Sequence, residues 1–338
     1  MKIGSGARVR IALALAVLIV PLLLVAPARG GVSVTCTLVS AGPAGPAGDV
    51  LKVDDRTSSV TSIFRDGDEV VVYNNVDSDR TICADGTPTV FNIDRIEYST
   101  ATGTPFLNYL GDGALAPGAS PEPGAAEIEV SIAESYSRKV LNIAGTGAAE
   151  RIEVGQLGHK AVGVNLDAQA DGGAQDADVT LIATDAEVAL RVVAKGGNDT
   201  VTALGGPAFT GPVAVERLTL TGGPGDDRLF GGPGKDSLNG EDGNDLLLAG
   251  RGRDNLSIGK GRDIAKAGKG DDQIFNRDSS SEDDLGPDRV FGGAGNDNID
   301  VAQALAGDRV DCGSGGDRLA TDPGDRAKGC EEVDVIRR

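Results

Sequence analysis

The chain has 338 residues, a formal net charge of −19 and 50 glycines, with no tryptophan, one histidine and an aromatic share of 3%. So acidic a chain excludes a general nucleic-acid binder, whose phosphate contacts need the opposite sign. So few large side chains exclude an ordinary aromatic-rich globular core, and self-repulsion of this size favours an expanded chain unless cations intervene.

Residues 1–28 read as a signal peptide: MKIGSGARVR is basic, Ile11 to Val25 is apolar, and Ala26-Pro27-Ala28 fits the small-residue pattern before a signal-peptidase cut. The apolar run is about fifteen residues, short of the roughly twenty a membrane helix needs, and Pro21 interrupts it. Secretion to an extracellular or cell-surface location is expected, with no transmembrane segment after cleavage. An uncleaved anchor is the competing reading. Cys36 follows Ser-Val-Thr, which lacks the small residue usually found just before a lipidated cysteine.

Residues 29–100 are expected to be a β-rich region. LKV at 51–53, EVVVY at 69–73, TVFNI at 89–93 and RIEYS at 95–99 are short strand-like runs divided by turn signals such as Asp66-Gly67-Asp68 and Asp85-Gly86-Thr87. Residues 101–126 are rich in Pro, Gly and Ala and read as a loop or linker. From 127 to 221, VLNIAG, RIEVG, VGVNL, DVTLIA and EVALRVVA alternate at strand period, as irregular β-helix rungs would. An acid-Arg-aliphatic triplet recurs at Asp94-Arg95-Ile96, Asp227-Arg228-Leu229, Asp288-Arg289-Val290, Asp308-Arg309-Val310 and Asp317-Arg318-Leu319. Glu150-Arg151-Ile152 is a decayed version. The triplet marks the start of a rung, so the amino-terminal half is expected to be continuous with the carboxy-terminal half.

At Gly222 the chain becomes periodic. GGPGDDRLF, GGPGKDSLN, GEDGNDLLL, AGRGRDNLS, IGKGRDIAK and AGKGDDQIF follow without a gap, nine residues each. Asp227, Asp236, Asp245, Asp254, Asp263 and Asp272 hold the sixth place, and Leu229, Leu238, Leu247, Leu256, Ala265 and Ile274 the eighth. AKGGNDTVT supplies an isolated earlier unit with Asp199 in the sixth place. Each unit joins a glycine-rich half suited to positive φ to a short strand around one inward aliphatic. Two units make a coil of eighteen residues, so Asp227, Asp245 and Asp263 stack along one edge and Asp236, Asp254 and Asp272 along the other. Neighbouring strands lie about 4.8 Å apart, and carboxylates at that spacing repel by about 3.5 kcal/mol at an effective dielectric of 20. A bare column opposes its own fold, and one aliphatic per unit is a thin core. Oxygen-only ligands, carboxylates plus turn carbonyls, suit Ca²⁺ better than Mg²⁺ with its strict octahedron, and zinc would want His or Cys.

GGPGDD, GGPGKD, GEDGND and GGAGND are similar to the GGxGxDxUx nonapeptide of RTX, or haemolysin-type, calcium-binding repeats. The resemblance covers residues 222–300. It implies an all-β chain, a right-handed parallel β-roll or β-helix solenoid with an irregular β-rich amino-terminal half. It further implies Ca²⁺ held between stacked turns by sixth-place Asp side chains and turn carbonyls. Those roles carry over to Asp227, Asp236 and Asp245, then to Asp254, Asp263, Asp272, Asp288, Asp297 and Asp199. Gly222, Gly225, Gly231, Gly234, Gly240, Gly243, Gly292 and Gly295 shape the turns. A glycine-rich acidic linker, the bland alternative, would not keep an aliphatic in every eighth place.

Asn276 to Pro287, with its SSSEDD run, breaks the phase and reads as a solvated loop. Residues 301–338 keep Asp308 and Asp317 in degenerate rungs and end in a capping strand at Cys330 to Ile336. The four cysteines permit three pairings; the sequence-local one, Cys36 with Cys83 and Cys312 with Cys330, would staple each end of the solenoid in a secreted chain. Free thiols are the alternative. Arg251, Lys260 and Lys269 in the third place, and Arg253 and Arg262 in the fifth, depart from the family pattern. They are expected to offset neighbouring Asp columns and weaken the middle sites. A docking patch for an anionic polymer is the sharper reading, but Arg251 and Lys269 fall on one edge and Lys260 on the other, so no single stripe forms.

The only histidine, His159, stands in GQLGHKAV, and the chain has neither HExxH nor GxSxG. The enzymatic alternative is a calcium-dependent polysaccharide lyase or epimerase-like activity on a β-helix, using carboxylates or an arginine base, with 4 Tyr and 7 Phe available to line a sugar cleft. The main reading is a non-catalytic, secreted calcium-binding solenoid whose folding is coupled to the ion. Its expected partners are calcium ions and a cell-wall or extracellular polysaccharide or another surface protein.

Overall fold

The computed structural model describes the strands between residues 34 and 183 and, with gaps at 207–208, 214, 216, 277–285 and 303–306, residues 187–337. The expected signal peptide, Cys83, His159 and the SSSEDD run lie outside the described residues, as does most of 101–126. Every element among the described residues is a strand, and the strands form two sheets, of 15 and 13 strands.

From Arg217–Thr221 onward the chain alternates between the sheets. Thr200–Thr202, Arg228–Phe230, Leu246–Arg251, Ile264–Lys269, Arg289–Ala294 and Arg309–Ser314 follow one another in the first. Arg217–Thr221, Asp236–Asn239, Asn255–Ser257, Gln273–Phe275, Asn298–Asp300 and Arg318–Thr321 follow one another in the second. All of these successive pairings are parallel and in register. Leu229 lies beside Leu247, which lies beside Ala265, and Leu238 lies beside Leu256, which lies beside Ile274. The structure is therefore a parallel β-roll here.

Strand alternation turns every second side chain inward. The eighth-place residues Leu229, Leu247, Ala265, Val290 and Val310 of the first sheet, and Leu238, Leu256, Ile274, Ile299 and Leu319 of the second, are all buried. The sequence reading missed a second inward line from the first place of each unit: Ala249, Ile258, Ala267 and Cys312 are also buried. Where the first place is not glycine, the core is thus two side chains per unit, wider than a single aliphatic.

The amino-terminal half extends the same two sheets. Asp49–Asp55, Ile93–Thr100, Glu129–Glu134 and Val179–Ala183 pair in parallel in the first. Val60–Asp66, Phe106–Leu110, Arg138–Ala144 and Glu187–Val193 do so in the second. Phe106–Leu110 falls within the expected linker; its alternating apolar residues make a strand despite the Pro and Gly around it. Between Glu129–Glu134 and Thr200–Thr202, an antiparallel meander of Arg151–Gln156, Ala161–Asn165 and Val179–Ala183 widens the first sheet. Antiparallel partners also close the amino-terminal end, where Val34–Val39 flanks Asp49–Asp55 and Glu69–Asn74 flanks Val60–Asp66.

At the other end the expected capping strand lies at Glu332–Val335, within 330–336. Arg326–Lys328 and Glu332–Val335 add one more rung, the last strand of each sheet. Cys312 and Cys330 are disulfide-bonded across 18 residues, with their Cα atoms 5.1 Å apart. Cys36 is also disulfide-bonded, and its expected partner, Cys83, lies outside the described residues.

Candidate metal centre

The glycine-rich turns connect the sheets, and their shape follows from how closely they stack. Gly243 and Gly252, in the fourth place, have φ of 144° and 145°, and a Cβ on either would collide with the carbonyl oxygen of the turn before, Gly225 O and Gly234 O. Only glycine permits both that φ and that approach. The Gly225 and Gly243 N–H groups donate to Asp242 O and Lys260 O of the following turns at 2.7 and 2.8 Å. Among the described residues, Lys195 at 80° and Glu241 at 75° are non-glycine residues with positive φ in the second place.

The sixth-place aspartates form two columns, and every member is buried. In the first column the N–H of each Asp donates to Oδ1 of the Asp in the next rung: Asp199 to Asp227 at 2.8 Å, Asp227 to Asp245 at 2.8 Å, Asp245 to Asp263 at 2.7 Å, Asp263 to Asp288 at 2.8 Å and Asp288 to Asp308 at 2.9 Å. In the second, Asp236 donates to Asp254 at 2.9 Å, Asp254 to Asp272 at 2.8 Å, Asp272 to Asp297 at 2.9 Å and Asp297 to Asp317 at 2.8 Å. The acidic insertion lengthens one step of each column from 18 to 25 residues without breaking the bond. Thus all nine aspartates singled out from the sequence fall in the two columns.

The ends of the columns are what the sequence reading missed. Asp308 N–H donates to Asp325 Oδ1 at 3.0 Å, and Asp317 N–H to Glu331 Oε2 at 2.8 Å. Asp325 is saturated: Oδ1 also accepts from Gly307 N–H at 2.8 Å, and Oδ2 accepts from Thr321 Oγ1 at 2.7 Å and Asp322 N–H at 2.8 Å. No nonapeptide flags either residue; Asp325 sits in TDPGD and Glu331 in GCEEVD.

The other carboxylate oxygen tells whether a cation fits. Oδ2 of Asp227, Asp245, Asp254, Asp272, Asp297 and Asp317 is buried and accepts no hydrogen bond. Asp236 differs, its Oδ2 taking the Gly232 N–H at 2.7 Å. These oxygens lean over their own turns: a Cβ added at Gly222, Gly240 or Gly292 would meet Oδ2 of Asp227, Asp245 or Asp297. A buried carboxylate oxygen with no donor is costly. Burial, opposed by the backbone hydrogen bond and reinforced by neighbouring carboxylates, pushes Asp227, Asp245 and Asp254 up to about 7 and Asp297 up to about 6. Asp236 and Asp272 are raised as well, chiefly by burial. A proton or a cation must therefore join these oxygens. The donor set is hard oxygen alone, which fits Ca²⁺. No three His, Cys, Asp or Glu side chains converge on one point among the described residues, so the remaining ligands would be turn carbonyls.

Fifth-place side chains build a shallower ladder outside the columns. Asp226 N–H donates to Asn198 Oδ1 at 3.0 Å, and Asn244 donates to Asp226 Oδ1 from its N–H at 2.8 Å and its Nδ2 at 2.9 Å; the two Asn244 bonds hold the exposed Asp226 carboxyl below its usual range. Arg262 N–H donates to Asn244 Oδ1 at 3.1 Å, and the ladder stops there because a guanidinium offers no acceptor. Of the basic residues expected to offset the columns, Lys260 pairs with Asp242 at 3.6 Å. Arg251, Arg253, Arg262 and Lys269 make no ion pair among the described residues, and Asp242 stands in the third place, outside both columns, so none of the five forms an ion pair with a column aspartate there.

A family model described as RTX calcium-binding nonapeptide repeat (4 copies) matches residues 221–256, 259–277 and 282–303. Comparison with curated proteins finds no match, and comparison with solved structures finds none.

Proposed function

Because residues 221–303 are RTX calcium-binding nonapeptide repeats, we propose that the protein is a secreted, non-catalytic β-roll whose stacked aspartates take up Ca²⁺ as the chain folds, serving a surface, matrix or adhesive role. The observation that carries this reading is the row of buried, donor-free Oδ2 atoms along both columns. Asp227, Asp245 and Asp263 would hold ions on one edge and Asp254, Asp272 and Asp297 on the other, with Asp199, Asp236 and Asp288 as further ligands. Bound calcium supplies positive charge to joined carboxylates that otherwise repel. The chain's own part is geometric: Oδ1 fixes the next rung, Oδ2 is kept dry, and at Gly222, Gly240 and Gly292 the lack of a Cβ leaves it room. Since the columns exist only once the turns stack, binding free energy appears as folding free energy, about 2.7 kcal/mol per independent site at 100 times the dissociation constant.

Isothermal titration of Ca²⁺ into the EDTA-stripped full chain is the test. Several ions per chain are expected, with Mg²⁺ giving no comparable binding. Absence of calcium binding would remove the reading.

A further inference from the structure

Among the described residues the last rung of the stack is open on its outer side. Arg326–Lys328 is the outermost strand of the first sheet and Glu332–Val335 of the second. Each keeps the parity of the rung before it: Ala327 is in register with Val310, and Val333 with Leu319. Val310 and Leu319 are buried, but Val333 and Val335 are each 46% exposed. Unpaired strand edges are templates for a further strand, and neither RAK nor EVDV carries the proline that would block one.

The charges on these edges are segregated. Outward on the first-sheet edge stand Arg326 and Lys328; outward on the second stand Glu332 and Asp334. The chain reverses direction between the sheets, so a two-fold axis parallel to the strands lays the first-sheet edge of one copy antiparallel to the second-sheet edge of another. With Ala327 opposite the partner's Val333, the same register sets Arg326 opposite the partner's Asp334 and Lys328 opposite the partner's Glu332. Both outward pairs are then of opposite charge, and the inward pair joins the two cores. A slip of one residue would turn the charges inward. A two-fold axis normal to the sheets would instead set RAK against RAK and EVDV against EVDV, like charge on like, which is destabilising. Lys328 and Glu332 already bridge back to Asp311 and Arg318 at 2.8 and 2.7 Å, so the joined edges would continue an alternating row of charge. The disulfide at Cys330 sits in the turn between the two edges and ties it to Cys312.

We infer that this open rung is a self-complementary interface through which two copies of the chain join tail to tail by antiparallel strand pairing in the Ala327–Val333 register.

Sedimentation velocity of the calcium-loaded full chain over a concentration series tests it, independently of how calcium is bound. A closed dimer is expected. Asp334→Arg, which sets Arg against Arg326 twice per dimer, should weaken it at least about tenfold. Arg326→Asp combined with Asp334→Arg should restore it, which a variant that merely misfolds could not do. A monomer throughout the series, a dimer indifferent to Asp334→Arg, or failure of the double exchange to restore association would overturn the inference.

Discussion

The N–H of Asp227 donates to Oδ1 of Asp245, one rung on, at 2.8 Å, while Oδ2 of the same Asp245 is buried without a donor. One oxygen holds the stack and the other is left for a cation. Asp245→Asn keeps the first and replaces the second. We predict that it lowers calcium affinity at that edge by more than about tenfold, while the metal-free protein is no less stable, because a buried charge has been removed. Calcium titration beside urea unfolding in EDTA separates the two. A parallel loss in both would make Asp245 a structural residue only.

The raised aspartates fix the sign of a pH dependence. Asp227, Asp245 and Asp254 titrate at about 7 in the folded chain and near the ordinary carboxylate value unfolded. The folded state therefore holds more protons between those values, and their contribution is complete below about 4 and lost as pH rises through about 7. In EDTA the β-roll should be more stable at pH 5 than at pH 8. Calcium competes for the same oxygens, so its affinity should rise over that interval and its binding at pH 7 should release protons. Calorimetry in buffers of different ionisation enthalpy measures that release.

Glu241 holds φ of 75° in a place where Gly223, Gly250 and Gly268 have φ between 116° and 121°. A non-glycine residue there costs about 1–2 kcal/mol, against about 0.5–1 kcal/mol for glycine's extra freedom when unfolded. Glu241→Gly should therefore raise stability by up to about 1.5 kcal/mol, read as the urea midpoint of the calcium-loaded chain. Gly252→Ala should do the reverse and more strongly, since its Cβ has nowhere to go.

The Cys312–Cys330 bond closes an 18-residue loop around the final rung, a constraint worth about 3 kcal/mol on the unfolded chain. Cys330→Ser should expose the amides of Arg326–Lys328 and Glu332–Val335 to hydrogen exchange before those of Leu246–Arg251. Uniform loss of protection along the roll would show that the bond supports the whole stack rather than its end.

The sixth-place aspartates and eighth-place aliphatics were legible because the nonapeptide repeats them at one spacing, and a parallel stack turns one spacing into one column. Asp325 and Glu331 escaped for the same reason. They lie 17 and 14 residues beyond Asp308 and Asp317, and at the second the longer side chain of Glu makes up for the shorter path. The strands of 151–183 could be read from their alternation, but not the antiparallel meander they form, since side chains alternate alike in both kinds of ladder. Ile258 and Ala249 stand where other units have glycine, and their burial shows that the first place points into the core. The basic third and fifth places could be assigned to edges by counting, but whether they touch an acid depends on side-chain reach, and among the described residues Lys260 alone of Arg251, Arg253, Lys260, Arg262 and Lys269 does.

The most direct measurement is far-UV circular dichroism of the EDTA-stripped chain at pH 8 during addition of Ca²⁺, with Mg²⁺ as the control. Ion-coupled columns predict a cooperative gain of β-structure with calcium and little with magnesium. A metal-free chain already fully β and indifferent to calcium would contradict the account, because the buried carboxylates would then be held without the cation.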